Sequence, residues 1–199
     1  MAHRSIAKLY WASHGGNTYL VGSVLAGGAL MLFAGSGILL PTWAGTSSTS
    51  AAVAAMVVLA LLGASTLYSP ALDYDQLLTT TPLKVRRAHP SVVYVVTLLF
   101  AFAAGGLSGA GFADGVTAAR TTLFWLGWTF LFTALRLGGL VWMGPLVIFL
   151  ALTYGGYDSV GDPLVWNPLN RGATDAHAWW LVLPVGVLGL GGATLRIAR

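Results

Sequence analysis

Cysteine is absent from this chain of 199 residues, and so is glutamate: all six acidic residues are aspartates. Without a thiol there is no disulfide framework, no thiolate nucleophile and no cysteine-based metal site. Without glutamate there is no H-E-x-x-H metallopeptidase helix and no glutamate-based proton relay. The pattern G-x-x-x-x-G-K-[ST] is missing too, which excludes binding a nucleoside triphosphate in the P-loop manner. Charge of either sign is scarce, at 8% of residues, against about 25% in a soluble domain.

What fills the chain instead is apolar: 56% hydrophobic residues, with 26 glycines. A membrane-crossing helix needs about 20 apolar residues, so there is room for six spans and no separate soluble domain. The expected fold is an all-α polytopic membrane protein, with residues 1–199 forming one transmembrane domain. The first apolar run exceeds a signal-peptide h-region of about 7–15 residues, so it is expected to be retained as a span.

In chain order, residues 1–17 put Ile6, Leu9 and Tyr10 on one helical face and Arg4 and Lys8 off it. That pattern suits an amphipathic helix on the inner membrane surface, which Ser13-His14-Gly15-Gly16-Asn17 then breaks. Spans are expected at about 18–40, 51–68, 91–112, 118–135, 140–154 and 178–195. Pro41, Thr42 and Trp43 begin an uncharged loop after the first span. Gly105 and Gly109 form a GxxxG in the third, a spacing that lets helix backbones approach closely in lipid. Gly144 and Pro145 are expected to kink the fifth. Trp125, Trp128 and Trp142 are sized to fill a core or to line a path, and core filling is the commoner use.

Two long polar stretches interrupt this pattern, at 70–90 and 155–177. With the N-terminus inside, Arg4, Lys8, Lys84, Arg86, Arg87, Arg136, Arg196 and Arg199 are cytoplasmic, and only Arg120 and Arg171 are outside. Such an excess of inner basic residues is the positive-inside signal. Both termini and the 70–90 loop are therefore expected in the cytoplasm, with the 155–177 segment outside. The net charge of +4 follows from this asymmetry and does not indicate nucleic-acid binding.

No ionisable residue is expected deep in a span. Arg120 and Arg136 sit at span ends, where long side chains snorkel to the interface. The histidines, at 3, 14, 89 and 177, fall at span edges, which speaks against a haem held between two core imidazoles. Missing mid-membrane carboxylates speak against a proton- or sodium-coupled transporter. Gly106-Leu107-Ser108-Gly109 is similar to the G-x-S-G of rhomboid proteases, with His177 as the conceivable base. That serine stands in the third span instead of the fourth, so helix packing is the preferred reading of the motif and no catalytic residue is expected.

The 70–90 loop carries more. Asp73, Tyr74, Asp75, Leu77 and Leu78 suit a short helix, which Thr79-Thr80-Thr81-Pro82 ends before the run Leu83-Lys84-Val85-Arg86-Arg87. This segment resembles the loop between the second and third helices of ABC-2-type permeases, the membrane subunits of many ABC exporters. The resemblance extends to the layout, with its interfacial N-terminal helix, six spans and longest outer segment before the sixth. It implies a permease subunit moving a small or amphipathic substrate and pairing as a homodimer or heterodimer in the bilayer. It further implies that Asp73, Tyr74, Asp75, Leu77, Leu78, Pro82, Lys84, Arg86 and Arg87 contact a cytoplasmic ATPase subunit holding the ATP and Mg²⁺. Short re-entrant helices are then expected near 162–169. Two alternatives stand beside it: the substrate-binding subunit of an energy-coupling-factor vitamin importer, with a ligand near Trp43, Asp114 and Trp166, and a non-catalytic accessory subunit of a membrane complex.

Overall fold

A computed structural model describes residues 10–33, 36–42, 45–67, 83–109, 111–169 and 171–198. The fold is helical. After helical residues 10–13 come α1 (Gly16–Phe33), a two-stranded hairpin of β1 (Gly37–Thr42) and β2 (Gly45–Ser50), and α2 (Ala51–Ser65). Then follow α3 (Leu83–Ser108), α4 (Phe112–Ala134), α5 (Gly138–Gly155) and α6 (Ala176–Ala198). Among the described residues, three helices are long and apolar enough to cross a membrane: Gly16–Phe33, Lys84–Ser108 and Ala176–Arg196. The 52–65 and 141–155 helices are apolar but shorter.

Two boundaries differ from expectation. The first helix stops at Phe33, and the 37–40 stretch is antiparallel strand, with Gly37 opposite Ser50 and Thr42 opposite Gly45. Gly37 and Pro41 are poor interior helix residues, the first for entropy and the second for its missing N–H, whereas the Ser/Thr-rich partner suits a strand. The third helix begins at Leu83 instead of residue 91, so Lys84, Arg86, Arg87 and His89 are helical and not in a loop. Proline is favoured at a helix start, and Pro82 directly precedes Leu83. Pro90 lies inside the helix, which continues past the missing bond, as membrane helices often do.

The N-terminal segment turns at His14-Gly15, where Gly15 takes φ 71°, before α1 begins. Residues 1–9 lie outside the described residues, as do Trp43 and 68–82.

The bundle is organised around α4, which packs against α2, α3, α5 and α6. Its pairing with α3 is antiparallel: Gly105 meets Ala118 and Tyr94 meets Phe130. Its pairing with α6 is parallel: Gly127 meets Val185 and Thr133 meets Arg196. A Cβ on Gly127 would lie 2.6 Å from the Val185 carbonyl oxygen, and one on Gly189 would collide with the Gly127 backbone. Glycine therefore sets how closely α4 and α6 approach. Trp125 and Phe130 are fully buried beside this contact, whereas Trp142 is half exposed and does not belong to the core.

Helices in lipid gain little from hiding apolar surface and hold together by close packing and interhelical hydrogen bonds, each averaging about 0.6 kcal/mol. Such bonds cross the bundle at several points among the described residues, Arg196 to the Thr133 carbonyl being one. The Tyr19 and Thr97 hydroxyls are 2.8 Å apart, joining α1 to α3, and the Tyr94 hydroxyl donates to the Gly186 carbonyl at 2.8 Å, joining α3 to α6. The outward faces are apolar, with Val21, Val24 and Leu25 on α1 and Trp180, Val187 and Leu188 on α6 all well exposed. A contiguous exposed surface of this kind fits hydrocarbon solvation better than water.

Candidate functional site

The helix pairing gathers two polar clusters, one at each end of the bundle. At the first end, Tyr10, Trp11 and His14 meet the end of α2 and the first turns of α3. The Thr66 hydroxyl donates to the Gly63 carbonyl at 2.8 Å, so its oxygen is left to accept from His89 Nε2 at 3.2 Å. That arrangement assigns the proton on His89 to Nε2. His14 Nδ1 lies 2.7 Å from the Tyr10 carbonyl, which can only accept, so His14 carries its proton on Nδ1. The two imidazole centroids are 5.6 Å apart, and Tyr10 meets His89 edge-on at 5.5 Å. His89 is buried, and so is His14. His14 stands in the turn before α1 and His89 six residues inside α3, both turned into the protein.

Directly above this anchor, Lys84 and Arg87 are exposed and Arg86 is half buried, all on the first two turns of α3. Of the residues expected to contact an ATPase, these three are described. Asp73, Tyr74, Asp75, Leu77, Leu78 and Pro82 lie outside the described residues. The structure thus joins the basic run to a continuous 26-residue helix, about 39 Å long at 1.5 Å per residue.

At the opposite end the 156–175 segment is folded by a few side chains. Asn167 is fully buried; its Nδ2 donates to the Gly156 carbonyl at 2.9 Å, and its Oδ1 accepts from the Leu169 amide at 2.9 Å. It thereby satisfies a backbone acceptor just past the end of α5, where carbonyls lack helical partners. Arg171 donates to the carbonyls of Pro163, Leu164 and Asn167 and pairs with Asp175 at 2.7 Å. Asp175 in turn caps α6, accepting from the His177 and Ala178 amides. The Arg171 hydrogen bond, supported by those amides, holds the Asp175 carboxyl below the usual carboxylate range. The backbone amides of Asp162 and Val160 do the same for Asp158. Residues 162–169 form turns and extended backbone, not the re-entrant helix expected there. Two prolines and the side-chain-to-backbone bonds of Asn167 compete with helix formation.

Arg120 departs most from expectation. It does not snorkel to water; it is fully buried eight residues inside the start of α4. Its guanidinium donates to the Gly172 carbonyl at 2.6 Å and the Arg171 carbonyl at 2.5 Å, and stands 6.0 Å from the Trp179 ring centre. It ties the 156–175 segment to the central helix through backbone, which no sequence spacing announces.

Gly105 and Gly109 lie where α3 meets the start of α4. A Cβ on Gly105 would come 2.5 Å from that of Ala118, and one on Gly109 would run into the Asp114 carboxylate. Beside them, Leu30, Met56, Ser108, Asp114, Thr117 and Thr121 line a hollow of about 150 Å³. The Ser108 hydroxyl donates to the Gly105 carbonyl at 2.8 Å, and exposed His177 lies 3.6 Å from Asp175. No Ser108–His177 hydrogen bond is formed among the described residues, so the two are not brought together as a dyad. The described residues also contain no cluster of three or more His, Cys, Asp or Glu side chains suited to a metal. Compared with known proteins, the chain matches no family model, and no curated protein or solved structure is significantly similar to it.

Proposed function

We propose that this chain is a six-span permease subunit of an ABC-2-type exporter, with both termini in the cytoplasm. A separate ATPase subunit, holding ATP and Mg²⁺, supplies the energy for moving a small or amphipathic substrate, and the permease pairs with a second permease subunit in the bilayer. One observation carries the reading: the basic residues at the end of the 73–87 segment belong to α3 itself, and α3 is anchored at His89 and Tyr94. A push delivered to that segment is transmitted along one helix to the glycine contact at Gly105, next to the hollow containing Asp114. The chain performs no chemistry of its own in this scheme. Its residues receive motion, hold helices in register and line a route.

The vitamin-importer alternative asks for an enclosed outer site near Asp114. The hollow there, about 150 Å³, falls below the roughly 300 Å³ at which small-molecule sites begin, so the exporter reading is preferred. The test is affinity purification of the full chain from its native host, followed by reconstitution in liposomes with the ATPase that accompanies it. Arg86→Gln with Arg87→Gln is expected to lower ATPase stimulation several-fold while thermal stability changes little. Absence of any nucleotide-binding protein from the purified material, or unchanged stimulation, would overturn the proposal.

A further inference from the structure

We propose that the groove between the N-terminal turn and α3 binds an anionic phospholipid. The groove has a volume of about 310 Å³ and is lined by Tyr10, Trp11, Lys84, Val85, Ala88, His89 and Val92. Positions 84, 85, 88, 89 and 92 recur at helical spacing, so they form a single stripe down one face of α3. The stripe is graded. Exposed Lys84 stands at its mouth, and Val85, Ala88 and Val92 continue it for about 12 Å along the helix axis, with the aromatic rings of Tyr10 and Trp11 as the opposite wall. His89 is occupied with Thr66, which leaves Lys84 as the cation among the described lining residues.

Charge and shape together define the occupant. A cation at the polar end of an apolar channel matches a phosphodiester headgroup followed by an acyl chain. The four described aspartates, Asp114, Asp158, Asp162 and Asp175, are all at or beyond the opposite helix ends, so no described carboxylate competes for Lys84. Tyr10 and Trp11 are residue types that favour the headgroup level, and an interfacial cation attracts anionic lipid. A soluble anion would use Lys84 but leave the apolar channel empty; a zwitterionic lipid would bring the same phosphate together with its own cation, which Lys84 repels. The inference rests on the chain lying in a membrane but not on an ATPase partner, so it is tested on the isolated full-length chain.

The experiment places the detergent-purified protein in delipidated form and titrates it with phosphatidylglycerol or phosphatidylcholine carrying brominated tails, which quench nearby tryptophan. Phosphatidylglycerol is expected to quench at lower concentration than phosphatidylcholine, and this added quenching should vanish in Trp11→Phe, because Trp11 is the ring on the groove. Lys84→Gln should weaken phosphatidylglycerol binding about fivefold, the effect of one interfacial cation. Val92→Trp, at a position 48% exposed, should fill the channel and abolish the preferential quenching with the fold intact by thermal unfolding. Equal quenching by the two lipids overturns the inference. So does wild-type binding by Lys84→Gln or by Val92→Trp, and so does complete displacement by soluble glycerol phosphate, which would reduce the site to a phosphate contact.

Discussion

Arg120 concentrates the residue-scale physics of this protein. A guanidinium in a water-poor site is costly unless its donors are satisfied, and here two of them meet the carbonyls of Arg171 and Gly172. Its planar fork reaches both acceptors at once, which a lysine ammonium on a flexible stem does less well. Hydrogen bonds to a charged group contribute about 1.5–3 kcal/mol each, and truncation also leaves a cavity. Arg120→Ala is therefore expected to lower stability by roughly 2–4 kcal/mol, read as a lower thermal midpoint in detergent and faster tryptic cleavage after Arg171. Arg120→Lys should recover only part of the loss. If the alanine variant unfolds and is cleaved like the wild type, the clamp has no energetic role. From sequence, Arg120 is indistinguishable from an interfacial arginine, because its partners are backbone carbonyls 51 and 52 residues away. Asp175 is more legible: an aspartate just ahead of an apolar run is a cap signal, and here it caps α6.

Among the elements, α4 is the helix that every neighbour uses. Its contact with α6 depends on Gly127, Gly186 and Gly189, where backbones touch. Gly127→Leu is expected to force the two helices apart, at an overpacking cost of about 1–3 kcal/mol. Because the chain has no cysteine, a designed pair reports this cleanly. A Cβ at Gly192 would lie 3.0 Å from that of Ala134, just inside the roughly 3.5–4.5 Å that a disulfide spans, so Ala134→Cys with Gly192→Cys should crosslink after a shift of about half an ångström. Adding Gly127→Leu should reduce the crosslinked fraction; an unchanged fraction would show that glycine does not set the approach. The GxxxG spacing at Gly105 and Gly109 is visible in the sequence, and both glycines, at the end of α3, stand against the start of α4. The α4–α6 contact is not visible, since one glycine on α4 meets two on α6 and the pairing exists only once parallel helices are placed.

For the molecule as a whole, orientation is the property that the proposed function needs most. In a chain without cysteine, Ser159→Cys, at an exposed position of the 156–175 segment, should on the proposed orientation react with a membrane-impermeant maleimide on intact cells. Lys84→Cys should react only after permeabilisation. The opposite pattern would invert the proposed orientation and remove the basic end of α3 from any cytoplasmic partner.

The sequence by itself determined the helical class, the order of the helices and the approximate place of most of them. Those features follow from local composition, since an apolar run of sufficient length folds as a helix wherever backbone groups must be satisfied internally. It also determined what the chain lacks, which excludes whole classes of chemistry. Tertiary structure alone decided that α1 yields to a hairpin after Phe33, that α3 reaches back to Leu83, and that His89 and Arg120 turn inward. The physical reason is the same in each case. A boundary or a buried polar group is decided by what satisfies it: Thr66 for His89, two loop carbonyls for Arg120, and an opposing strand for residues 37–42. The partners of His89 and Arg120 lie 23, 51 and 52 residues away along the chain, so their pairing is written only in three dimensions.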